Sequence, residues 1–200
     1  MKIKIEEYNT EWSRVFDEIK SDTLKLIGFL NPQIEHIGST SVDGLSAKPI
    51  IDILVGLENG NDLNKTIQPL MNNGYIYYER YNKEMPYRRF FVRHKDNYSI
   101  PANLKIITEQ DEIPSNTEEH DSRLAHVHVL PLNSEHWTRH IAFRDYLKEY
   151  PKIRNEYQNL KEELKYKEWR DGNEYNKAKD KFIKEEERKA VKWYHEKYVV

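Results

Sequence analysis

HIGSTSVDGLSAKPIIDILVGL, residues 36–57, is the most informative stretch of this 200-residue chain. Its last part, PIIDILVG at 49–56, is a nearly continuous apolar run rich in β-branched residues, which is typical of a buried strand. Its first part continues a short strand at 34–38, and the small, polar residues at 39–48 indicate a loop with one helical turn. The stretch therefore predicts two strands joined by a polar loop.

The start of this loop has the composition of an anion-binding turn. Gly38 allows a sharp change of backbone direction after the first strand, because it has no side chain. The amides and hydroxyl groups of Ser39, Thr40 and Ser41 can then face an anion such as a triphosphate. A glycine–serine turn without a ligand is the alternative, and the spacing alone leaves both interpretations open.

Asp52 is a charged residue in the middle of the buried strand. A carboxylate among apolar side chains is costly unless hydrogen bonds, a cation or solvent compensate it. A strand would hold Asp52 rigidly enough to ligate Mg²⁺, the usual partner of nucleotide phosphates, and Lys48 would neutralise phosphate charge as a point cation. Asp52 is therefore our candidate metal ligand and catalytic residue, with a hydrogen-bonded structural aspartate as the alternative.

The remaining sequence predicts two parts that share one core. Residues 1–131 indicate a mixed α/β part, and residues 132–200 indicate a helical module that begins at Ser134 as N-cap. The elements predicted in the first part are helices within 1–30 and 60–73, strands at 75–80, 87–94 and 123–131, and an extended loop with one weak strand over 95–122. The expected fold class is α/β (α+β), with a mixed sheet flanked by helices.

Composition narrows the possible functions. Lys and Arg number 32 and Asp and Glu 34, which gives a net charge of −2 and no strong signal for nucleic-acid binding. The chain has no Cys, so disulfides, thiol catalysis and cysteine-type zinc sites are excluded. The beginning, MKIKIEEYNTEW, is too charged for a signal peptide, and no apolar run reaches the ~18 residues of a membrane span. We therefore expect a soluble cytoplasmic protein with no membrane partner.

Residues 36–57 closely resemble the signature of the GrpB family, the glutamate-rich-protein-B-like proteins of the nucleotidyltransferase superfamily. The family's usual form is close to H-I-G-S-T-S-V-P-G-L-x-A-K-P-I-I-D-I. Further similarities, which extend the resemblance over nearly the whole chain, are Trp12 and Phe16, HVHV at 126–129, FRDYL at 143–147, Tyr157 to Lys161, and Tyr175, Lys179 and Phe182-Ile183. The resemblance implies a nucleotidyltransferase-like fold, a short mixed sheet flanked by helices with an added helical part.

The sequence departs from the expected pattern at two positions. Asp43 stands where the family usually has Pro. Metal-dependent nucleotidyltransferases generally use two carboxylates separated by one residue, because strand alternation points both to one face, where two metals can be held ~3.5–4 Å apart. Leu54 occupies the second of these positions. The strand at 123–131, where a third carboxylate would be expected, offers His126 and His128 instead.

Histidines and arginines supply further candidates. His126 and His128 would share a strand face and line the cleft of Asp52, which makes His128 our second candidate catalytic residue. Together with His136 and His140 on a helix they form an HxH plus HxxxH set that resembles a metal site, since imidazole is a common zinc ligand, but the Glu of an HExxH motif is missing. Ordinary half-buried histidines are the alternative.

Arginines cluster on the predicted strands, at positions 88, 89, 93 and 123. Arg88 or Arg89 would reach a phosphate bidentately, and we select Arg88. Solvated cations on an edge strand are the alternative. Lys161, Tyr175 and Lys179 match family positions and are expected to pack the helical module.

We therefore predict a protein that binds a nucleoside triphosphate with Mg²⁺ and transfers a nucleotidyl group to an unknown acceptor. In this interpretation Asp52 ligates the metal, and Gly38 and Ser39 seat the phosphates. The alternatives are a degenerate member that binds a nucleotide or another anion without turnover, and a hydrolase with a metal bound by histidines.

Overall fold

A five-stranded mixed sheet forms the centre of the fold, in the order β1-β2-β5-β4-β3. The computed structural model describes residues 2–96, 101, 104–111, 122–170 and 172–198. The strands are β1 (Gln33–Ile37), β2 (Ile51–Leu57), β3 (Tyr75–Tyr77), β4 (Arg89–His94) and β5 (Arg123–Pro131). The α-helices are α1 (Glu11–Ile27), α2 (Ile67–Met71), α3 (Glu135–Glu149), α4 (Pro151–Lys165) and α5 (Gly172–Tyr198).

Strand β2 is an interior strand of the sheet, as its apolar run predicts. It pairs antiparallel with β1 and parallel with β5, and β5 continues antiparallel to β4 and β4 to β3. The register places Asp52 beside His126 and Leu54 beside His128. The predicted fold class, an α/β protein with a mixed sheet flanked by helices, is confirmed.

The two faces of β2 have different neighbours because its side chains alternate. Ile51, Ile53 and Val55 point into the main hydrophobic core, which they share with Trp12 and Phe16 of α1. The opposite face carries Asp52 and Leu54. Leu54 is fully buried against Trp137 and Ile141 of α3, whereas the Asp52 side chain keeps 32% of its exposure. This second face, beside α3, α4 and α5, carries the candidate site.

The C-terminal helices begin where the sequence indicates. Ser134 is the N-cap of α3, because its Oγ accepts a hydrogen bond from the Trp137 amide. Pro151 occupies the first turn of α4, where the missing N–H costs nothing. Leu147 and Tyr157 pack against Val42 and Leu45 from the segment after β1. The two predicted parts are therefore joined by apolar contacts, and the boundary at 131/132 remains a prediction.

The helix predicted over 60–73 differs in detail. Residues Gly60–Thr66 form a 3₁₀ helix, and only Ile67–Met71 is α-helical. Side chains that compete for backbone groups explain the tighter turns, since Asn59 accepts from the Asn61 amide and Thr66 donates to the Leu63 carbonyl.

The loop predicted over 95–122 is described only in part. Ile106 forms an isolated parallel bridge with Tyr77, in place of the weak strand expected at 104–107. The prediction for residues 97–100, 102–103 and 112–121 lies outside the described residues. Within the described ranges, no helix has the length and apolar character needed to cross a membrane.

Candidate functional site

The turn after β1 brings the backbone against Asp52. Gly38 has φ +72°, a conformation that side chains other than glycine rarely adopt. A Cβ atom at this position would also collide with the Asp52 carboxylate. The following residues, Ser39–Ser41, form one 3₁₀ turn, which the Ser41 hydroxyl closes by donating to the Gly38 carbonyl at 2.6 Å. Glycine is thus required at 38 both for the turn and for the approach to Asp52.

Asp52 and His126 form a hydrogen-bonded pair across the parallel strands β2 and β5. Nδ1 of His126 lies 3.1 Å from Oδ1 of Asp52, and Nε2 lies 3.3 Å from a terminal nitrogen of Arg123. An arginine can only donate, so Nε2 accepts and Nδ1–H donates to the carboxylate. The pair therefore holds one tautomer of the imidazole ring, with the lone pair of Nε2 on the side away from Asp52.

His128 contacts Arg88 rather than Asp52. Its Nδ1 lies 3.3 Å from a terminal nitrogen of Arg88, which donates to it. Burial, reinforced by the Arg88 charge, holds the pKa of His128 well below its usual range. Burial likewise lowers the pKa of His140, whose ring lies 5.9 Å from that of His128, to about 3. Both histidines are therefore neutral near pH 7.

Three lysines surround Tyr175 and Ser39. The amino groups of Lys48 and Lys179 lie 4.5 and 4.3 Å from the centre of the Tyr175 ring, within range of a cation–π interaction. Lys161 donates to Oγ of Ser39 at 3.3 Å and also to the carbonyl of Ser46. Helices α4 and α5 thus supply cations to the turn that follows β1.

Burial lowers the pKa of all three lysines. It lowers that of Lys48 to about 7, with help from the charges of Lys179 and Arg123, and that of Lys161 to about 7, with help from Lys179. The pKa of Lys179 falls to about 8 for the same reason, burial. A bound anion would reverse these shifts, since it favours the charged amines.

These groups line one cavity of about 470 Å³, within the ~300–1,000 Å³ of small-molecule sites. Six cationic side chains face it, and among the described residues Asp52 is the one carboxylate that does. The cations are Lys48, Arg88, Arg123, Lys161, Arg170 and Lys179. Tyr78, Tyr81, Met85 and Phe90 give the side near β4 an apolar and aromatic character. The cavity therefore combines a cationic end beside the turn after β1 with an apolar and aromatic side near β4.

The sequence-predicted site residues are distributed as follows. Six of them line the cavity, namely Ser39, Thr40, Lys48, Asp52, Arg88 and His128. Gly38 and Ser41 lie behind its wall and shape the turn. Arg89 points elsewhere, since it donates to Asn64 and to the carbonyls of Pro86 and Arg88.

Lys161, Tyr175 and Lys179 are the residues whose role the sequence reasoning missed. They were expected to pack the helical module, and they line the cavity instead. The available signal was Lys161, which falls on the apolar stripe of α4 between Tyr157 and Leu164. A lysine at such a position is expected to have a hydrogen-bonding or charged partner, because burying an unpaired amine costs free energy.

The donor set fits one Mg²⁺ ion at most. Asp52 supplies a single carboxylate, and Leu54, at the position of the expected second one, is buried among apolar side chains. The described residues contain no group of three His, Asp or Glu side chains placed to bind a metal. His136 stacks on Tyr87 with ring centres 3.6 Å apart. This arrangement gives no support to a hydrolase with a histidine-bound metal.

Fold and site together define an α/β protein with a cation-lined cavity at the face of a mixed sheet. The family model described as "GrpB protein" matches residues 2–189. The chain therefore belongs to the GrpB family, which confirms the resemblance seen in the signature at 36–57.

Individual relatives agree with this assignment. The chain is 31% identical over 179 residues to the glutamate-rich protein GrpB of Alkalihalophilus pseudofirmus, covering 89% of this chain and 90% of that protein. It is also 31% identical over 195 residues to the protein YqkA of Bacillus subtilis, covering 96% of this chain but only 48% of that protein. A crystal structure of GrpB from Enterococcus faecalis superimposes with a TM-score of 0.73 at 30% identity, covering 96% of this chain and 99% of that one.

Proposed function

We propose that this GrpB-family protein is nucleotidyltransferase-like and binds a nucleoside triphosphate in the cation-lined cavity. The observation that supports this proposal is the pair of lysines, Lys161 on α4 and Lys179 on α5, that line the cavity beside the turn at Ser39. Two amines in one partly desolvated site repel each other and favour a bound anion. A triphosphate supplies the opposite charge and several hydrogen-bond acceptors at once.

The phosphates belong at the end formed by the turn after β1 and by α4 and α5. The Ser39 hydroxyl faces this end, and Lys161 and Lys179 reach it from the helices. Lysine amines bind phosphate as point charges with three donors each. A compact group of lysines therefore suits a flexible polyphosphate better than a planar carboxylate.

Mg²⁺ would enter this site together with the triphosphate. One protein carboxylate, Asp52, is within the usual number for Mg²⁺, which takes its remaining ligands from phosphates and water. The surrounding cations disfavour a divalent ion that arrives alone. When bound, the ion would neutralise charge that develops on the phosphates.

Nucleotidyl transfer is the reaction that we propose for this site. An acceptor oxygen forms a bond to the α-phosphorus, the bond from that phosphorus to the oxygen bridging to the β-phosphate breaks, and pyrophosphate leaves with the electron pair. If the acceptor is a hydroxyl, its proton passes to Nε2 of His126, which gives up its hydrogen bond from Arg123 to accept the proton, while Nδ1–H donates to Asp52. A phosphate acceptor needs no such base.

Binding without turnover is the second candidate function. The specific observation in its favour is Leu54, which replaces the second carboxylate and lies in an apolar cluster with Trp137 and Ile141. A protein of this kind would keep the cations and lose the two-metal chemistry.

Calorimetric titration with ATP, GTP, CTP, UTP and inorganic tripolyphosphate, each with Mg²⁺ and with EDTA, tests the binding step. Lys179→Gln should weaken binding at least tenfold, because it removes a half-buried cation that lines the cavity. Lys177→Gln, on the exposed side of the same helix, is the matched control and should leave binding unchanged. Equal affinities of the two variants would refute this placement of the triphosphate.

Release of pyrophosphate separates the two candidate functions. Nucleotidyl transfer requires pyrophosphate to appear from a bound triphosphate when an acceptor is added, and to disappear in Asp52→Asn. A protein that binds ATP tightly and releases no pyrophosphate with a broad set of hydroxyl and phosphate acceptors fits the binding function.

A further inference from the structure

Arg88 is a half-buried cation that lines the cavity without a carboxylate partner among the described residues. Its guanidinium lies 5.1 Å from the Phe90 ring centre and 6.0 Å from that of Tyr81. One terminal nitrogen donates to His128, and Nε is buried with no hydrogen-bond partner. The nearby Arg139 offers no compensation, since it is also a cation and is paired with Glu187.

This environment leaves the charge of Arg88 incompletely compensated. A guanidinium stays protonated in proteins, so it cannot avoid the cost of burial by losing its proton. Contact with aromatic faces offsets only part of the cost of withdrawing this charge from water. Burial accordingly lowers the pKa of Arg88. An oxyanion that accepts hydrogen bonds from Nε and a terminal nitrogen would neutralise the charge of Arg88 and give Nε a partner.

The surroundings of Arg88 differ from those of the lysines. Arg88 precedes β4, whereas Ser39 and Lys48 lie in the segment that joins β1 to β2, and β2 and β4 lie on opposite sides of β5. Two inter-strand spacings separate β2 from β4 by about 10 Å. The Asp52–His126 pair lies between the two ends, and Tyr81 and Met85 provide partly exposed apolar surface beside Arg88.

We infer that Arg88, Tyr81 and Met85 form a second ligand subsite, which binds the carboxylate or phosphate of a small co-substrate through Arg88 and its planar or apolar group through Tyr81 and Met85. The polyphosphate occupies the lysine end at the same time. The role of this co-substrate as acceptor rests on the proposed function, but its binding does not. The subsite therefore assigns a chemical class, aromatic or apolar oxyanions, to the unknown acceptor.

Benzoate and phenyl phosphate are suitable probes, with benzyl alcohol as the neutral analogue. Each is titrated into the protein, alone and saturated with tripolyphosphate, by ligand-observed and protein-observed NMR. We expect both anions to bind in the presence of tripolyphosphate and benzyl alcohol to bind at least tenfold more weakly. A preference between the two anions identifies carboxylate or phosphate as the natural group.

The matched variants are Arg88→Met and Arg89→Met. Arg88→Met should reduce benzoate and phenyl phosphate binding at least tenfold and leave tripolyphosphate binding within twofold. Arg89→Met should change neither, because Arg89 bonds to Asn64 and backbone carbonyls outside the cavity. The melting temperature of Arg88→Met should be equal to or above that of the parent, since an uncompensated half-buried charge is removed; this result also shows that the variant is folded.

Three results would overturn the inference: no binding of either anion, equal binding by Arg88→Met and the parent, or displacement of the anions by tripolyphosphate. If tripolyphosphate fails to bind while the two anions bind through Arg88, the proposed function fails and the subsite stands. The two proposals are therefore tested separately.

Discussion

Binding of a polyphosphate should weaken steeply as the pH rises above neutral. The free site contains Lys48 and Lys161 with pKa values lowered to about 7 by burial. A bound polyanion favours their charged forms, so the liganded site holds more protons than the free site. Ligand binding therefore takes up protons, and raising the pH lowers the affinity for the ligand.

The magnitude follows from these pKa values. A lysine with a pKa of about 7 is charged in about one molecule in ten at pH 8 and in about one in a hundred at pH 9. If each amine must be charged in the complex, each contributes nearly a tenfold loss of affinity over that interval, or about 1.4 kcal/mol. Both together give about a hundredfold loss, and Lys179, with a pKa of about 8, adds about another fivefold. ATP is the suitable ligand, because its terminal phosphate has lost its last proton below pH 8 and does not obscure the effect.

Isothermal titration calorimetry with metal-free ATP at pH 8, 8.5 and 9 measures this dependence. Repeating the titration in two buffers with different heats of ionisation gives the number of protons taken up, which should be about two and a quarter at pH 8, nearly one each from Lys48 and Lys161 and about one half from Lys179. Lys48→Arg keeps a permanent charge and should reduce the uptake by nearly one. An affinity that is the same at pH 8 and pH 9, or heats that do not depend on the buffer, would refute the reasoning.

Three substitutions test the turn and the carboxylate. Asp52→Asn should bind metal-free tripolyphosphate at least as tightly as the parent, because a repelling charge is gone, but should lose the gain in ATP affinity on adding Mg²⁺; an unchanged gain in calorimetry would exclude Asp52 as the metal ligand. Ser39→Ala should weaken ATP binding by ~1 kcal/mol, the usual contribution of one hydrogen bond, whereas Ser41→Ala should have less effect, because its hydroxyl donates to the backbone. Gly38→Ala should lower the free energy of unfolding in urea by ~1–3 kcal/mol and abolish anion binding; Gly44→Ala has a similar φ of +76° and open space, so equal effects on binding would contradict the proposed contact with Asp52.

The sheet and the part of the site that lies on β2 and β5 could be predicted from local sequence. The run around Asp52 predicts a buried strand because it is apolar and rich in β-branched residues. Alternation along β5 places His126 and His128 on one face. Pairing of β2 with β5 then brings Asp52 and His126 together. The choice between the two histidines could not be made from sequence, since it depends on a register that no local pattern encodes.

The other half of the site lies in the helices. Lys161 and Lys179 are more than a hundred residues from Ser39 in the chain, and their direction depends on how α4 and α5 pack against the loop at 39–48. Amphipathic periodicity gives the buried face of each helix, but not the partner that this face meets. Within these helices, the sequence signal was Lys161, a charged residue at a position of α4 whose neighbours on the same face are apolar.

The hydrogen bonds of Lys161 affect the order in which the cavity forms during translation. Its amine joins Ser39 and Ser46 to a helix that leaves the ribosome more than a hundred residues later, and Lys179 follows later still. During synthesis the sheet can assemble with its turn and its aspartate in place while the cavity has only part of its wall. If the cavity binds polyanions as proposed, nascent chains acquire that affinity in the last stage of translation, and incomplete chains do not compete with finished molecules for the ligand.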